Sequence, residues 1–179
     1  NRQQSCGGVK AGRLMNHVYE GNLFHNIKNN QDYHMSCINE VTGLQYTYQI
    51  KIEKNTFDNI DGNCQGRCVD VELGTNSDVS IKNNTFKNCP IGGFLIKVSF
   101  SDLRSEFIID NCYLINNIMS TYWANTIGCN SQVWIQNKDN SQMSVKFINC
   151  YFESNHNYKK GGAIFYGNSK HTIDTKVFF

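Results

Sequence analysis

Ile81-Lys82-Asn83-Asn84-Thr85-Phe86 sets the pattern from which the rest of the chain is read. Four other segments share its form: Tyr19-Glu20-Gly21-Asn22-Leu23-Phe24, Ile52-Glu53-Lys54-Asn55-Thr56-Phe57, Ile109-Asp110-Asn111-Cys112-Tyr113-Leu114 and Phe147-Ile148-Asn149-Cys150-Tyr151-Phe152. Each opens on a large apolar residue, passes two variable positions, reaches an Asn or Cys, and closes on a second large apolar residue. In the last four in chain order, a further apolar residue lies two positions upstream, at Ile50, Val79, Phe107 and Val145. Alternation with period two is the mark of a strand with one buried face.

The closing residues fall at 24, 57, 86, 114 and 152, giving spacings of 33, 29, 28 and 38. Helical and leucine-rich repeats keep tighter periods. Irregular spacing suits a solenoid with corner loops of variable length. A second strand follows behind a glycine signal. Gly66-Arg67-Cys68 leads into Val69-Asp70-Val71-Glu72-Leu73, Gly92-Gly93 into Phe94-Leu95-Ile96-Lys97-Val98, and Gly161-Gly162 into Ala163-Ile164-Phe165. Gly7-Gly8-Val9 reads as the same feature entered partway through a coil. The expected fold is all-β: a right-handed parallel β-helix of about five coils, with residues 1–179 forming one domain. Phe24, Phe57, Phe86, Leu114 and Phe152 are expected to stack in one interior column.

Phe152-Glu153-Ser154-Asn155, followed after a short polar loop by Gly161-Gly162-Ala163-Ile164, resembles the repeat of the polymorphic outer-membrane proteins. That family pairs F-x-x-N with G-G-A-[ILV] on a right-handed parallel β-helix. The full pattern occurs once. Leu114-Ile115-Asn116-Asn117 is a variant, Phe86-Lys87-Asn88-Cys89 departs at the fourth position, and Gly92-Gly93-Phe94-Leu95 has Phe in place of Ala. The resemblance implies an extracellular or cell-surface protein, often adhesive.

Composition agrees with strands. The 179 residues include 11 Phe, 9 Tyr and a single Pro, while Ala occurs only at Ala11, Ala124 and Ala163. Asn makes up about one residue in seven, far above the usual share. Together with 14 Gly it suits turns, since both tolerate left-handed backbone. A formal net charge of +2 is no electrostatic footprint for nucleic acid. No apolar run approaches the roughly 18 residues of a membrane-spanning helix.

Eight cysteines stand at Cys6, Cys37, Cys64, Cys68, Cys89, Cys112, Cys129 and Cys150. Their spacing matches no zinc template. An even count favours disulfides in an oxidising compartment over buried thiols. At least two bridges are expected among the eight, involving the turn cysteines Cys64, Cys68 or Cys89. Cys112 and Cys150 share a column, where a bridge and a stack of buried thiols both remain open. Asn83, Asn111 and Asn149 share another and are expected to ladder inside the turn. Asn83-Asn84-Thr85 is also the one glycosylation sequon, so Asn83 is a candidate glycan site; a ladder inside the turn would preclude the glycan.

Catalysis on a β-helix would need grouped carboxylates and a base. Asp70 and Glu72, pointing outward, with Asp58, Asp61 and Arg67 on the preceding turn, form the one cluster that could supply them. Ordinary surface charge accounts for it more simply, because Lys97 falls beside Glu72 on the next coil. The outward column Glu53, Lys82, Asp110, Ile148 reads as a stacking-register device. His17, His25, His34, His156 and His171 show no metal spacing. Tyr122, Trp123 and Trp134 fall in the longest interval between repeats, where buried, cap-like packing is expected, although exposed rings could stack on sugars. No catalytic set, cofactor or metal site is assigned.

The function expected is a non-enzymatic extracellular solenoid with a structural or adhesive role, as a surface protein, fibre or appendage subunit. The alternative is a carbohydrate-active β-helix that binds or cleaves acidic polysaccharide. Expected partners are further coils of the same chain or an adjoining subunit, and glycans, with no nucleic acid. The apolar run Thr175-Lys176-Val177-Phe178-Phe179 and the mid-coil opening Cys6-Gly7-Gly8-Val9 lead to the expectation that the chain is a segment of a longer one.

Overall fold

The computed structural model describes residues 5–12, 16–28, 35–41, 47–61, 67–73, 77–98, 104–118, 132–137, 142–156, 163–168 and 175–178. Among them are seventeen strands and no helix. In chain order the strands are β1 (Ser5–Gly12), β2 (Asn16–Glu20), β3 (Leu23–His25), β4 (Met35–Val41), β5 (Tyr48–Glu53), β6 (Thr56–Asp58), β7 (Val69–Leu73), β8 (Ser77–Lys82), β9 (Thr85–Lys87), β10 (Phe94–Val98), β11 (Arg104–Asp110), β12 (Tyr113–Ile115), β13 (Val133–Asn137), β14 (Gln142–Ile148), β15 (Tyr151–Glu153), β16 (Ile164–Asn168) and β17 (Thr175–Phe178). They form three open sheets. The first runs β1-β4-β7-β10-β13-β16, the second β2-β5-β8-β11-β14-β17 and the third β3-β6-β9-β12-β15. Every pairing is parallel and joins a strand to the one three further along the chain. Three successive strands, one from each sheet, make a rung.

Alternation decides which face is buried. In β5, Tyr48, Ile50 and Ile52 are buried while Gln49 and Lys51 are exposed. The in-register columns Ile52–Ile81–Ile109–Phe147 and Ile50–Val79–Phe107–Val145 continue that face through the second sheet. Ile38–Val69–Phe94–Val133 does the same in the first. Each such side chain contributes about 1.5–3 kcal/mol by leaving water. The expected column is present in the third sheet, where Phe24, Phe57, Phe86, Leu114 and Phe152 are in register. Ring centroids lie 4.9 Å apart for Phe24–Phe57 and 4.6 Å for Phe57–Phe86, with planes 4° from parallel in both pairs. That separation is the strand spacing itself, about 4.8 Å.

The six-residue motif is not one strand. It bends in the middle, where Gly21, Lys54, Asn83, Asn111 and Asn149 all take positive φ between 50° and 69°. A second corner closes each short third-sheet strand at Asn26, Asn59, Asn88, Asn116 and Ser154, with φ between 50° and 55°. Each of the first five rungs therefore has three strands where two were expected. The Asn excess follows, because Asn enters the left-handed region at lower energy than other side chains. The long interval before residue 142 also holds a regular strand, β13, paired on both sides; Trp134 lies on it. Tyr122, Trp123, Gly66, Gly161 and Gly162 lie outside the described residues. Gly7 and Gly8 fall at a register shift within β1, between Cys6 and Val9. Gly93 leaves room for Leu114, since a Cβ there would sit 2.8 Å from Leu114 Cδ2 and that side chain would have to shift.

Ladders line both sides of the corners. Outside, Asn111 Nδ2 donates to Asn83 Oδ1 at 2.7 Å and Asn116 Nδ2 to Asn88 Oδ1 at 2.8 Å. The expected Asn83–Asn111 ladder thus exists, but on the exposed side of the turn. The inner ladder belongs to the next residue. Asn22 Nδ2 donates to Asn55 Oδ1 at 2.9 Å, and Asn55 Nδ2 to Asn84 Oδ1 at 3.1 Å. Asn55 and Asn84 also donate to the carbonyls of Tyr19 and Ile52, at 2.9 and 2.7 Å. At the second corner Asn117 and Asn155 donate to Phe86 O and Leu114 O, at 3.1 and 2.7 Å.

Inner and outer ladders should therefore differ sharply in urea denaturation. Asn84→Ala strands the Asn55 amide and the Ile52 carbonyl and should lower stability by about 2–5 kcal/mol. Asn111→Gly keeps the left-handed corner and loses only exposed bonds, with Asn83 and Tyr113, so its effect should stay within about 0.5 kcal/mol. Equal losses would show that the two ladders are misassigned.

Candidate functional site: a buried His–Glu–Tyr cluster

His17 and Tyr19 lie on β2 at the inward positions that isoleucine fills on β5. Glu40 lies on β4 in register with Val71, an inward core position of the first sheet. The three side chains meet inside the stack. His17 Nδ1 donates to the Glu40 carboxylate, with contacts of 2.7 and 2.8 Å to its two oxygens, and Tyr19 Oη donates to Glu40 Oε1. Glu40 is fully buried and His17 is 6% exposed. The Tyr48 ring stands edge-on to the imidazole, with centroids 6.4 Å apart. His17 Nε2 is buried and makes no hydrogen bond to any of the described residues.

A carboxylate that holds Nδ1–H and leaves Nε2 bare orients a histidine to act as a base or as a metal ligand. Among the described residues neither use is completed: no hydroxyl or thiol is bonded to Nε2, and no group of three or more His, Cys, Asp or Glu could hold a metal ion. The geometry instead locks one rung onto the next. Removing one partner of such a buried set costs about 3–5 kcal/mol, whereas replacing the whole set with apolar residues is often neutral or stabilising. The cluster was absent from the sequence assignment, yet one signal pointed to it. His17 is the one member of its column that breaks the apolar pattern set by Ile50, Val79, Phe107 and Val145.

The carboxylates expected on one outer face are not brought together. Asp58 is on the third sheet, held by Asn88 Nδ2 at 3.1 Å and paired with Lys87 and His25, each at 3.3 Å. The Asn88 hydrogen bond, followed by the charges of Lys87 and His25, keeps its carboxyl below the usual range. Asp61 pairs with Lys28 at 3.4 Å. Asp70 is on the first sheet and, contrary to expectation, is buried, with Ser36 Oγ donating to it at 3.2 Å. Arg67 is fully buried. Glu72 is half-buried and in register with Lys97, as expected. The column Glu53–Lys82–Asp110–Ile148 is also in register.

Cys68 and Cys89 carry free, buried thiols rather than the expected bridges; Cys64 lies outside the described residues. Burial, then a hydrogen bond with the Cys89 thiol, pushes the Cys68 thiol well up. Cys112 and Cys150 are free as well, and Cys37 is buried. Asn83 is exposed, at φ 56°, with its Oδ1 occupied by Asn111. Of the remaining histidines, His156 forms an isolated bridge with Ile118, and His34 and His171 lie outside the described residues.

Two outer features could meet a ligand. A groove of about 290 Å³ crosses the second sheet at Ser80, between Lys51 and Ile108, with Asp78 and Glu106 on one side. On the third sheet Tyr113 and Tyr151 are exposed neighbours, their ring centroids 6.1 Å apart, and Tyr113 Oη donates to Asn111 Oδ1 at 3.1 Å. No family model, curated protein or solved structure matches the chain.

Glu40→Val should cost about 3–5 kcal/mol in urea denaturation, because His17 and Tyr19 lose their common acceptor. The triple change His17→Ile, Tyr19→Phe, Glu40→Val should recover most of that loss. A triple variant no more stable than Glu40→Val would show that the polar set is indispensable to the fold.

Proposed function

We propose that this chain is a non-enzymatic extracellular scaffold with a structural or adhesive role, built as a right-handed parallel β-helix. The observation that carries the proposal is the register. Each strand pairs in parallel with the strand three further on, so the chain passes through the three sheets in turn. Parallel crossovers are right-handed in about 98% of cases, which supports the handedness. The buried polar groups support a structural use: the amides and thiols of the corners bond to neighbouring rungs, and His17 and Tyr19 are spent on Glu40. The extracellular placement rests on the resemblance of Phe152–Asn155 and Gly161–Ile164 to the outer-membrane protein repeat.

A second reading, as a glycan-binding module, is favoured by Tyr113 and Tyr151. Exposed tyrosines beside amide side chains offer a ring face for stacking and polar groups for hydroxyls.

Pectin-like and glycosaminoglycan polysaccharides, incubated with the protein with and without calcium, should remain uncleaved. Cleavage abolished by Asp70→Ala or Arg67→Ala would overturn the scaffold reading. Retention on an immobilised polysaccharide, lost in Tyr113→Ala and Tyr151→Ala, would establish the second reading instead. A membrane-impermeant amine reagent should label the exposed Lys51 and Lys54 on intact source cells. Labelling only after lysis would refute the extracellular placement.

A further inference from the structure

The inner ladder does not end at Asn84. Asn84 Nδ2 points to Cys112 Sγ at 3.9 Å, and Cys112, whose thiol donates to Ile81 O at 3.5 Å, stands beside Cys150 of the next rung. The amide donors of Asn22, Asn55 and Asn84 thus run along the ladder up to Cys112. Exposure separates the two thiols, because Cys112 is fully buried and Cys150 only half-buried, so a reagent in solution meets Cys150 first. The two positions are adjacent in register. Tyr151 N donates to Cys112 O at 2.8 Å, and Tyr113 pairs with Tyr151. Parallel neighbours lie about 4.8 Å apart, within the range of about 4.4–6.8 Å between Cα atoms that a disulfide spans.

We propose that Cys150 is a reactive thiol, a modification site for low-molecular-weight disulfides, and that Cys112 is its resolving partner. The Cys150 thiolate attacks one sulfur of the reagent, whose S–S bond breaks to release one thiolate and leave a mixed disulfide. Cys112 then gives its proton to solvent, and its sulfur attacks Cys150 and expels the second thiolate. Two electrons pass from the thiol pair to the reagent, and the two released thiolates take up the two protons lost. The Cys112 thiol's hydrogen bond holds Cys150 at about 7, outweighing partial burial and nearby Asp110, while its own ionisation is pushed up by Cys150 and by burial. When protonated, Cys150 Sγ donates instead to Ile109 O and Ile148 O, each at 3.4 Å.

The test uses the 179-residue chain, oxidised glutathione at pH 7.5, alkylation, and peptide mapping by mass spectrometry. A Cys112–Cys150 cross-linked peptide is expected, with Cys150 reacting at least tenfold faster than Cys68 or Cys89. In Cys112→Ser the glutathione adduct should persist on Cys150. The pH profile of Cys150 alkylation should be half-maximal near 7 in the unaltered chain. It should stay low in Cys112→Ser, which retains a donor, and move toward the ordinary thiol value of about 8.5 in Cys112→Ala. Absence of the cross-linked peptide, or an unaltered-chain profile centred at about 8.5, would overturn the proposal, and both are read without relying on a variant that must fold.

Discussion

The structure depends on one constraint: a chain that turns two sharp corners in every rung must satisfy the backbone groups those corners bury. A carbonyl with no partner in a dry interior costs about 1–3 kcal/mol. The answer is a side-chain donor placed just after the left-handed residue. Asn55 and Asn84 meet carbonyls of the preceding rung at the first corner, and Asn117 and Asn155 do so at the second. Where Asn is missing from these positions, cysteine takes over in three of them. Cys112, Cys150 and Cys89 direct Sγ to Ile81 O, Ile109 O and Phe57 O, at 3.5, 3.4 and 3.5 Å. The cysteine content is thus accounted for in part by a turn requirement rather than by cross-linking.

That exchange has an asymmetry. Asn occupies the first inner corner through Asn84 and the second from Asn117 onward, with Ile27, Ile60 and Cys89 in the alternate places. A rung thus carries one inner amide, not two, leaving room beside it for apolar packing such as Ile60, which is fully buried. The phenylalanine column sits between the two corners and keeps the strand spacing uniform. Glu40, His17 and Tyr19 place a hydrogen-bonded polar cluster among inward positions that are apolar in the neighbouring rungs. Their bonds join the first rung to the second, the kind of contact by which buried polar groups specify register.

Much of this was legible in the amino-acid order. The alternation of Ile50 with Ile52 and of Val79 with Ile81, the closing aromatic, and the glycine pair ahead of Phe94 marked parallel strands and their columns. The corners were less legible, because Lys54 and Asn83 look like ordinary outward strand residues until their φ is known. β4 was hidden by Glu40, a charge at an inward position, and β13 by the length of the interval around it. Asp70 has the right parity for an outward residue, but parity does not reveal whether the outer face is itself covered, and there it is buried. The polar cluster was encoded only as an interruption at His17, which becomes informative once the column is aligned rung by rung.

Uniform pairing with the third strand onward also governs how the chain reaches this state. In β6–β9, Phe57 meets Phe86, and in β12–β15, Leu114 meets Phe152. No strand finds its partner through a tight hairpin, so the loop-closure entropy of some thirty residues must be met before any ladder bond forms. Once two rungs are docked, each later rung adds to a finished template, and order spreads as in a one-dimensional lattice. Docking β2 against β5 carries a desolvation cost of its own, because Glu40 must then leave water together with His17 and Tyr19. Folding that begins in the middle of the chain would complete its first rung last.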